Sequence, residues 1–302
     1  MAQTDLNVVT TQKQRLRKTT FQNIQPYLLC VPSFVVPVFI VGAFFLGVYY
    51  SLTDFDLRYG IRNYVGLGNY IRLFTEDRAF WGSVWTTIRY ALACLIIQIP
   101  LGLAVSLALD KVGAFGRIGR SLILAPLVIP PVVAALMWKI MMGPTQGILN
   151  YMLMGVGLPP VDWLGDATMA LYSLVIVDVW IYTPFVILVM SAGLQSLPKT
   201  PYEAAAVDGA SPLFTFWKLT LPMMRPFILI VLIFRALDAL RIFDTIYATT
   251  KGGPMKVTTT LTIMGFENSF RWSKLGMGMA CMIIAWFLCF VVSKRLVRLM
   301  PK

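Results

Sequence analysis

Residues 203–214 read EAAAVDGASPLF, and they lie between two of the most apolar runs of the chain. The punctuation is that of a helical hairpin. Thr200, Pro201 and Glu203 fit a capping box, with threonine as N-cap, proline at the first helical position and glutamate three residues after the cap. A helix over 201–208 is expected to end at Gly209, the residue best suited to a left-handed C-cap. Ser211 and Pro212 then open a second helix carrying Leu213, Phe214, Phe216, Trp217 and Leu219, which stops at Leu221-Pro222; Pro226 enters the next apolar run. The first helix has good propensity from Ala204, Ala205 and Ala206 but almost nothing to bury. Eight residues are too few to form a stable helix alone in water, so something must pack on it. A small-residue surface admits a close partner backbone; the second helix, with Phe216 and Trp217, also suits a bilayer interface.

The surroundings of the hairpin set the class. The 302-residue chain is 58% hydrophobic and 13% charged, about half the charge of a soluble domain. A bilayer core of about 30 Å needs roughly 20 apolar helical residues. Six stretches meet that length: 27–52, 84–109, 121–142, 169–194, 227–248 and 275–297. The expected fold is therefore all-α and polytopic, six transmembrane helices with a cytoplasmic helical hairpin. Pro32, Pro37, Pro100, Pro130, Pro131 and Pro184 fall within spans, which points to a packed bundle around a cavity. In the loop 53–83, the stretch NYVGLGNYIRLF predicts a short amphipathic helix. The polar N-terminal lead and long first apolar run argue against a cleaved signal peptide. Cys30, Cys94, Cys281 and Cys289 all sit in apolar runs, and the chain has no histidine, so neither a disulfide framework nor a metal site is expected.

Lysine and arginine orient the spans. With the N-terminus inside, the inner segments carry 14 of these residues and the outer segments 8, while seven acids lie outside and four inside. Both termini are thus expected in the cytoplasm, with a basic N-terminal segment at 1–26, a transmembrane domain at 27–302 and the hairpin loop at about 195–226. Most of the net charge of +12 is this topological bias, which leaves no case for nucleic acid.

The residues around the hairpin carry a resemblance. EAAAVDGASPLFTFWKLTLPMMRP is similar to the signature loop of the membrane subunits of binding-protein-dependent ABC importers, through Glu203, Ala204, Ala205, Asp208, Gly209, Ala210, Leu221 and Pro222. Phe243, Asp244, Thr250, Gly252, Gly253, Pro254 and the run Thr258, Thr259, Thr260 resemble the carbohydrate-uptake branch of that family. The resemblance implies that Glu203, Ala204, Ala205, Asp208, Gly209 and Ala210 form a coupling helix seated in a separate ATPase. It further implies a second permease subunit, two ATPase subunits, an external solute-binding protein and an inner-membrane location. No phosphate loop GxxxxGK[ST] and no nucleophile–base arrangement occurs in the sequence. The chain is accordingly expected to be no enzyme and to hold no cofactor, with ATP and magnesium on the partner ATPase.

Charges at span depth are costly and face a cavity or each other. In the fifth span Arg235, Asp238, Arg241 and Asp244 recur every third residue, about 60° apart on a regular helix, as a slowly winding polar stripe. One reading is a solute path in which these groups bond sugar hydroxyls; the other is an ion-pair ladder between helices. The two divide along the span, Asp244 toward the outer mouth for solute and Arg235 toward the cytoplasm for structure. In the fourth span Asp178, Trp180 and Tyr182 are also expected along the solute path, on different faces of a regular helix. Asp178 needs a buried partner, for which Arg235 and Arg241 are available, and a kink at Pro184 could turn Trp180 toward a cavity, the other reading of Trp180 being lipid or core packing. Trp138 and Lys139 lie near the outer end of the third span, and Glu267 and Asn268 before the sixth. The expected solute is a sugar or related polyol; the alternatives are another solute such as glycerol phosphate, or an ion-coupled secondary transporter, for which the hairpin has no purpose.

Overall fold

The computed structural model describes residues 34–61, 63–111, 119 and 122–300, apart from the side chain of Lys111. The expected basic segment 1–26, the start of the first span, Cys30, Arg62, Arg117, Arg120 and Lys302 lie outside the described residues. The chain divides into two units, 1–50 and 51–302. In the first unit lies most of helix α1, Phe34–Ser51, with Phe34, Val38, Phe39 and Phe45 exposed. A helix apolar on all sides is suited to lipid.

The second unit begins with an irregular segment held by isolated antiparallel bridges, Thr53 with Tyr64 and Asp56 with Gly60 and Lys274. Asn69 fixes it by donating to the carbonyls of Ser51 and Thr53 at 2.9 and 2.8 Å. Asn69 belongs to α2, Gly68–Thr75, the short amphipathic helix expected from the sequence. Then come α3, Arg78–Lys111; α4, Pro131–Met141; α5, Ile148–Gly155; and α6, Ala170–Ser196. The hairpin is α7, Thr200–Val207, and α8, Pro212–Thr215, continued by a π-helical turn Phe216–Thr220. It leads to α9, Arg225–Leu240, and α10, Asp244–Thr249. The chain closes with α11, Leu261–Phe266, a π-helical turn Glu267–Arg271, and α12, Leu275–Val297. Every regular element among the described residues is helical.

Among the described residues, α1, α3, α6 and α12 are each long and apolar enough to cross a bilayer as one helix. The third and fifth expected spans are interrupted instead. In the third, a helical turn Ala125–Val128 is followed by Ile129 and Pro130 in extended conformation before Pro131 starts α4. Proline cannot continue the preceding helix, and it pre-sets the first turn of the next. In the fifth, α9 ends at Leu240 and Phe243 lies outside the helical region at φ −134° and ψ −56°. The freed carbonyl of Ile242 accepts a hydrogen bond from the Thr262 hydroxyl at 2.6 Å. Such re-satisfaction is what lets an apolar environment tolerate broken helices.

The core runs along α3, α6, α9 and α12. Tyr90, Ala91 and Cys94 of α3 meet Leu171, Leu174 and Val175 of α6, Ala239 and Leu240 of α9, and Cys289 of α12. Toward the hairpin, Leu103, Val186, Met190, Met224 and Val231 form a second cluster. The α3–α6 contact is close because Gly102 leaves its Cβ position to the Val186 side chain, which an added methyl would strike.

Candidate functional site

Three helices carry one polar network in the middle of this apolar core. Gln98 of α3, Asp178 of α6 and Arg235 of α9 are all buried, at 0%, 0% and 1% exposure. Arg235 donates from Nη2 to Asp178 Oδ1 at 2.5 Å and from Nε to Gln98 Oε1 at 2.9 Å. Gln98 donates from Nε2 to Asp178 Oδ1 at 2.7 Å, and the Tyr90 hydroxyl donates to Asp178 Oδ2 at 3.0 Å. One carboxylate thus accepts from three side chains on two other helices. A buried charge is tolerable only when paired and hydrogen-bonded in this way.

The network opens on one side. The Arg235 guanidinium sits over the Tyr182 ring at 4.2 Å. Its Nη1 is buried without a hydrogen bond and lies 3.7 Å from Asp238 Oδ2. Asp238, half exposed, also pairs with the exposed Arg241 at 3.3 Å. A graded sequence results, from sealed Asp178 and Arg235, through half-buried Tyr182, to exposed Asp238 and Arg241. Trp180, half-buried, packs edge to face on Trp138 at 5.8 Å. Of the two arginines available to Asp178, it is Arg235 that pairs with it. The regular stripe through Asp244 does not form, because α9 stops at Leu240. Asp244 instead opens α10 and is exposed. Tyr90 and Gln98 were not singled out by the sequence; Gln98 is a lone polar side chain in an apolar run, and Tyr90 follows Arg89 at the start of that run.

The hairpin is built differently from the expected capping box. Helix α7 begins one residue early, with Lys199 at the N-cap in helical conformation and no side-chain cap. The carbonyl of Lys199 accepts from Tyr202 and Glu203 N–H at 2.9 and 3.0 Å, so Thr200 lies inside the first turn. The far end follows the sequence. Gly209 has φ +70°, its N–H donates to the Ala206 carbonyl at 3.2 Å, and Ala210 N–H donates to Ala205 at 2.9 Å. This pair of bonds is the Schellman motif, which needs a residue free of Cβ strain at that φ. The Ser211 hydroxyl accepts from Phe214 N–H at 3.3 Å as N-cap of α8. Tyr202 and Thr220 hydroxyls, 3.1 Å apart, tie the arms of the hairpin together.

Glu203, Ala204, Asp208 and Gly209 are exposed, while Ala205 and Ala210 are half-buried. Val207, Leu213, Phe214 and Trp217 are exposed beside them, Val207 at 89%. An apolar tip on a loop that its own chain leaves bare presents a surface for another molecule.

A protein-family model, the binding-protein-dependent transport system inner membrane component, matches residues 98–301. The chain is 37% identical to the trehalose/maltose transport system permease protein of Thermococcus litoralis, over 74% of this chain and 76% of that protein. It is 30% identical to the sn-glycerol-3-phosphate transport system permease protein of Escherichia coli, over 89% of this chain and 91% of that protein. In fold it is similar to a solved bacterial ABC transporter involved in the import of the acidic polysaccharide alginate. The TM-score is 0.81 at 19% identity, covering 95% of this chain and all of that one. The hairpin, the bundle and these matches agree: the chain belongs to the family of inner-membrane permease components of binding-protein-dependent ABC transport systems.

Proposed function

We propose that this permease works with a second permease subunit, two ATPase subunits and an external solute-binding protein to import a sugar or related polyol, with both termini in the cytoplasm. The exposed hairpin carries the proposal. Glu203, Ala204, Ala205, Asp208, Gly209 and Ala210 form its small-residue elbow, and the bare side chains of Val207, Leu213, Phe214 and Trp217 flank it. That surface suits a cleft in an ATPase, which holds the ATP and magnesium. Closing of the ATPases would move the hairpins together and turn the cavity outward.

Asp238, Arg241, Asp244, Tyr182 and Trp180 offer the donors, acceptors and aromatic faces a polyol needs along the path. Asp178 and Arg235 hold those groups in place from behind. The relatives named for trehalose and maltose, and for glycerol phosphate, support this solute range. The second of these, together with the exposed Arg241, favours glycerol phosphate as the alternative solute.

The test is uncoupling. In the assembled transporter, Glu203→Lys or Gly209→Pro should abolish ATP-driven uptake and its stimulation by the binding protein while membrane insertion is unchanged. Proline cannot adopt φ +70°. Uptake and stimulated ATPase activity at the wild-type level in both variants would refute the coupling role. Transport by the chain alone under an ion gradient without ATP would favour a secondary transporter.

A further inference from the structure

Beyond α9, at the end of the bundle away from the hairpin, α10, the following loop and the π-helical turn before α12 line two adjoining open clefts of about 420 and 370 Å³. Both are within the size range of small-ligand sites. They share Lys251, Glu267 and Arg271. One wall is aromatic: Phe243 stacks on Tyr247 at 5.1 Å, Phe266 touches both, and Phe270 continues from Phe266 at 5.0 Å. Phe270 and Trp272 are exposed, at 61% and 55%. The other wall is cationic. Arg271 is held at 2.8 Å by Glu267, but Lys251 and Lys256 are exposed and form no ion pair among the described residues. Asp77 and Glu267 share a small adjoining pocket with Lys256, so three cations face two carboxylates and the surface is net positive.

The backbone holds both lysines in a disfavoured conformation. Lys251 and Lys256 have φ of 52° and 65°, the left-handed region that residues with a side chain seldom occupy. The fold maintains it through Thr258, which donates to the Gly253 carbonyl at 2.7 Å, and Thr259, which donates to Gly252 at 3.0 Å. Strain of this kind clusters at ligand clamps.

We infer that this vestibule is an entry site for an acidic carbohydrate. The apolar face of a sugar ring lies on the Tyr247–Phe266–Phe270 wall, and its carboxylate, sulfonate or phosphate is held by Lys251 and Lys256. The excess of Lys251, Lys256 and Arg271 over Glu267 and Asp77 discriminates against a neutral sugar of the same size, while the aromatic wall discriminates against a bare inorganic anion. The inference rests on the importer reading and narrows its solute to the anionic members of the class.

The probes are trigalacturonate and neutral maltotriose, with the assembled transporter in lipid nanodiscs. Calorimetry should show saturable binding of trigalacturonate and none of maltotriose at this site. Lys251→Gln/Lys256→Gln should weaken binding about tenfold, and wild-type binding should weaken as salt rises from roughly 20 to 200 mM. Phe270→Ala should weaken it while leaving its salt dependence intact. All three side chains are exposed, so the variants should fold. Equal binding of both probes, or unchanged affinity in the lysine variant, overturns the inference. So does a variant whose only defect is weaker docking of the solute-binding protein, which would assign the lysines to a protein contact. ATP-driven uptake that persists in that case leaves the importer reading standing.

Discussion

Replacing Asp178 by asparagine keeps the shape of the buried network and removes its negative charge. In the wild type, Asp178 accepts from Arg235, Gln98 and Tyr90 at 2.5, 2.7 and 3.0 Å. Asparagine can still accept from the first two and donate to the tyrosine oxygen, so little packing is lost. The cost falls on Arg235, which at 1% exposure keeps its hydrogen bonds to residue 178 and Gln98 but is left with only an Asp238 carboxylate 3.7 Å away as counter-charge. Breaking one side of a buried ion pair costs about 3–5 kcal/mol. Arg235→Met should cost about the same, for the carboxylate left behind. In the double variant no buried charge remains. Its expected loss is about 1–2 kcal/mol, mostly the Gln98 carbonyl oxygen left without its donor. The coupling energy between the two sites, the two single losses less the double's, is then about 4–9 kcal/mol. Unfolding of the purified chain in mixed micelles, followed by circular dichroism across the four members of the cycle, measures it. Single variants costing under about 1 kcal/mol, or a double variant whose loss equals the sum of the singles, would refute the claim that this pair is sealed and mutually dependent.

Gly102→Val should lower stability by about 1–3 kcal/mol in the same assay, because its Cβ position is already taken by Val186 and the two helices must separate. Co-substitution of Val186→Gly should recover part of the loss. A pH effect is expected ahead of α6, where Asp166 accepts from Thr168 Oγ1 and from Thr168 and Met169 N–H. These bonds hold the Asp166 carboxyl below its ordinary value, the Thr168 hydroxyl contributing most. A depressed folded-state pKa means that the stabilisation is present above the unfolded value of about 3.9 and is lost as pH falls through the lower folded value. Amide protection at residues 168–169, corrected for intrinsic exchange, should therefore hold from neutral pH to about 4 and fall below it, and Asp166→Ala should remove that dependence.

The parts of the structure legible in the sequence were those set by local chemistry. Gly209, free of Cβ strain at φ +70°, ends one helix and the Ser211 hydroxyl caps the next; Pro130 and Pro131 stood out in the sequence, but 121–142 was expected as one span and is broken there. Asp178 announced that it needed a partner, and its two candidates included the right one. What stayed hidden depends on distant residues. Gln98 reaches Arg235 across 137 positions, and one glutamine in an apolar run says nothing of that. The interruption after Leu240 has no proline or glycine beside it; it is supported by Thr262, 20 residues further on. The start of α7 misled because Thr200 has the right composition for a cap, while the helix takes its first turn from Lys199. The clefts near Lys251 went unread because the aromatic wall joins Phe243 and Tyr247 to Phe266 and Phe270 across a loop.

The Asp178–Arg235 pair also bears on how the chain enters its membrane. The two residues are 57 positions apart, and at roughly 5–20 residues per second a ribosome needs about 3–11 s to make that stretch. For those seconds α6 carries an acid without its counter-charge, at an insertion penalty of about 2.5–3.5 kcal/mol for aspartate at mid-helix. Its 27 residues are otherwise apolar enough to enter alone, so the helix can wait in lipid. The guanidinium arriving with α9 then meets a carboxylate already lodged there, and lateral assembly of the two helices removes both penalties at once.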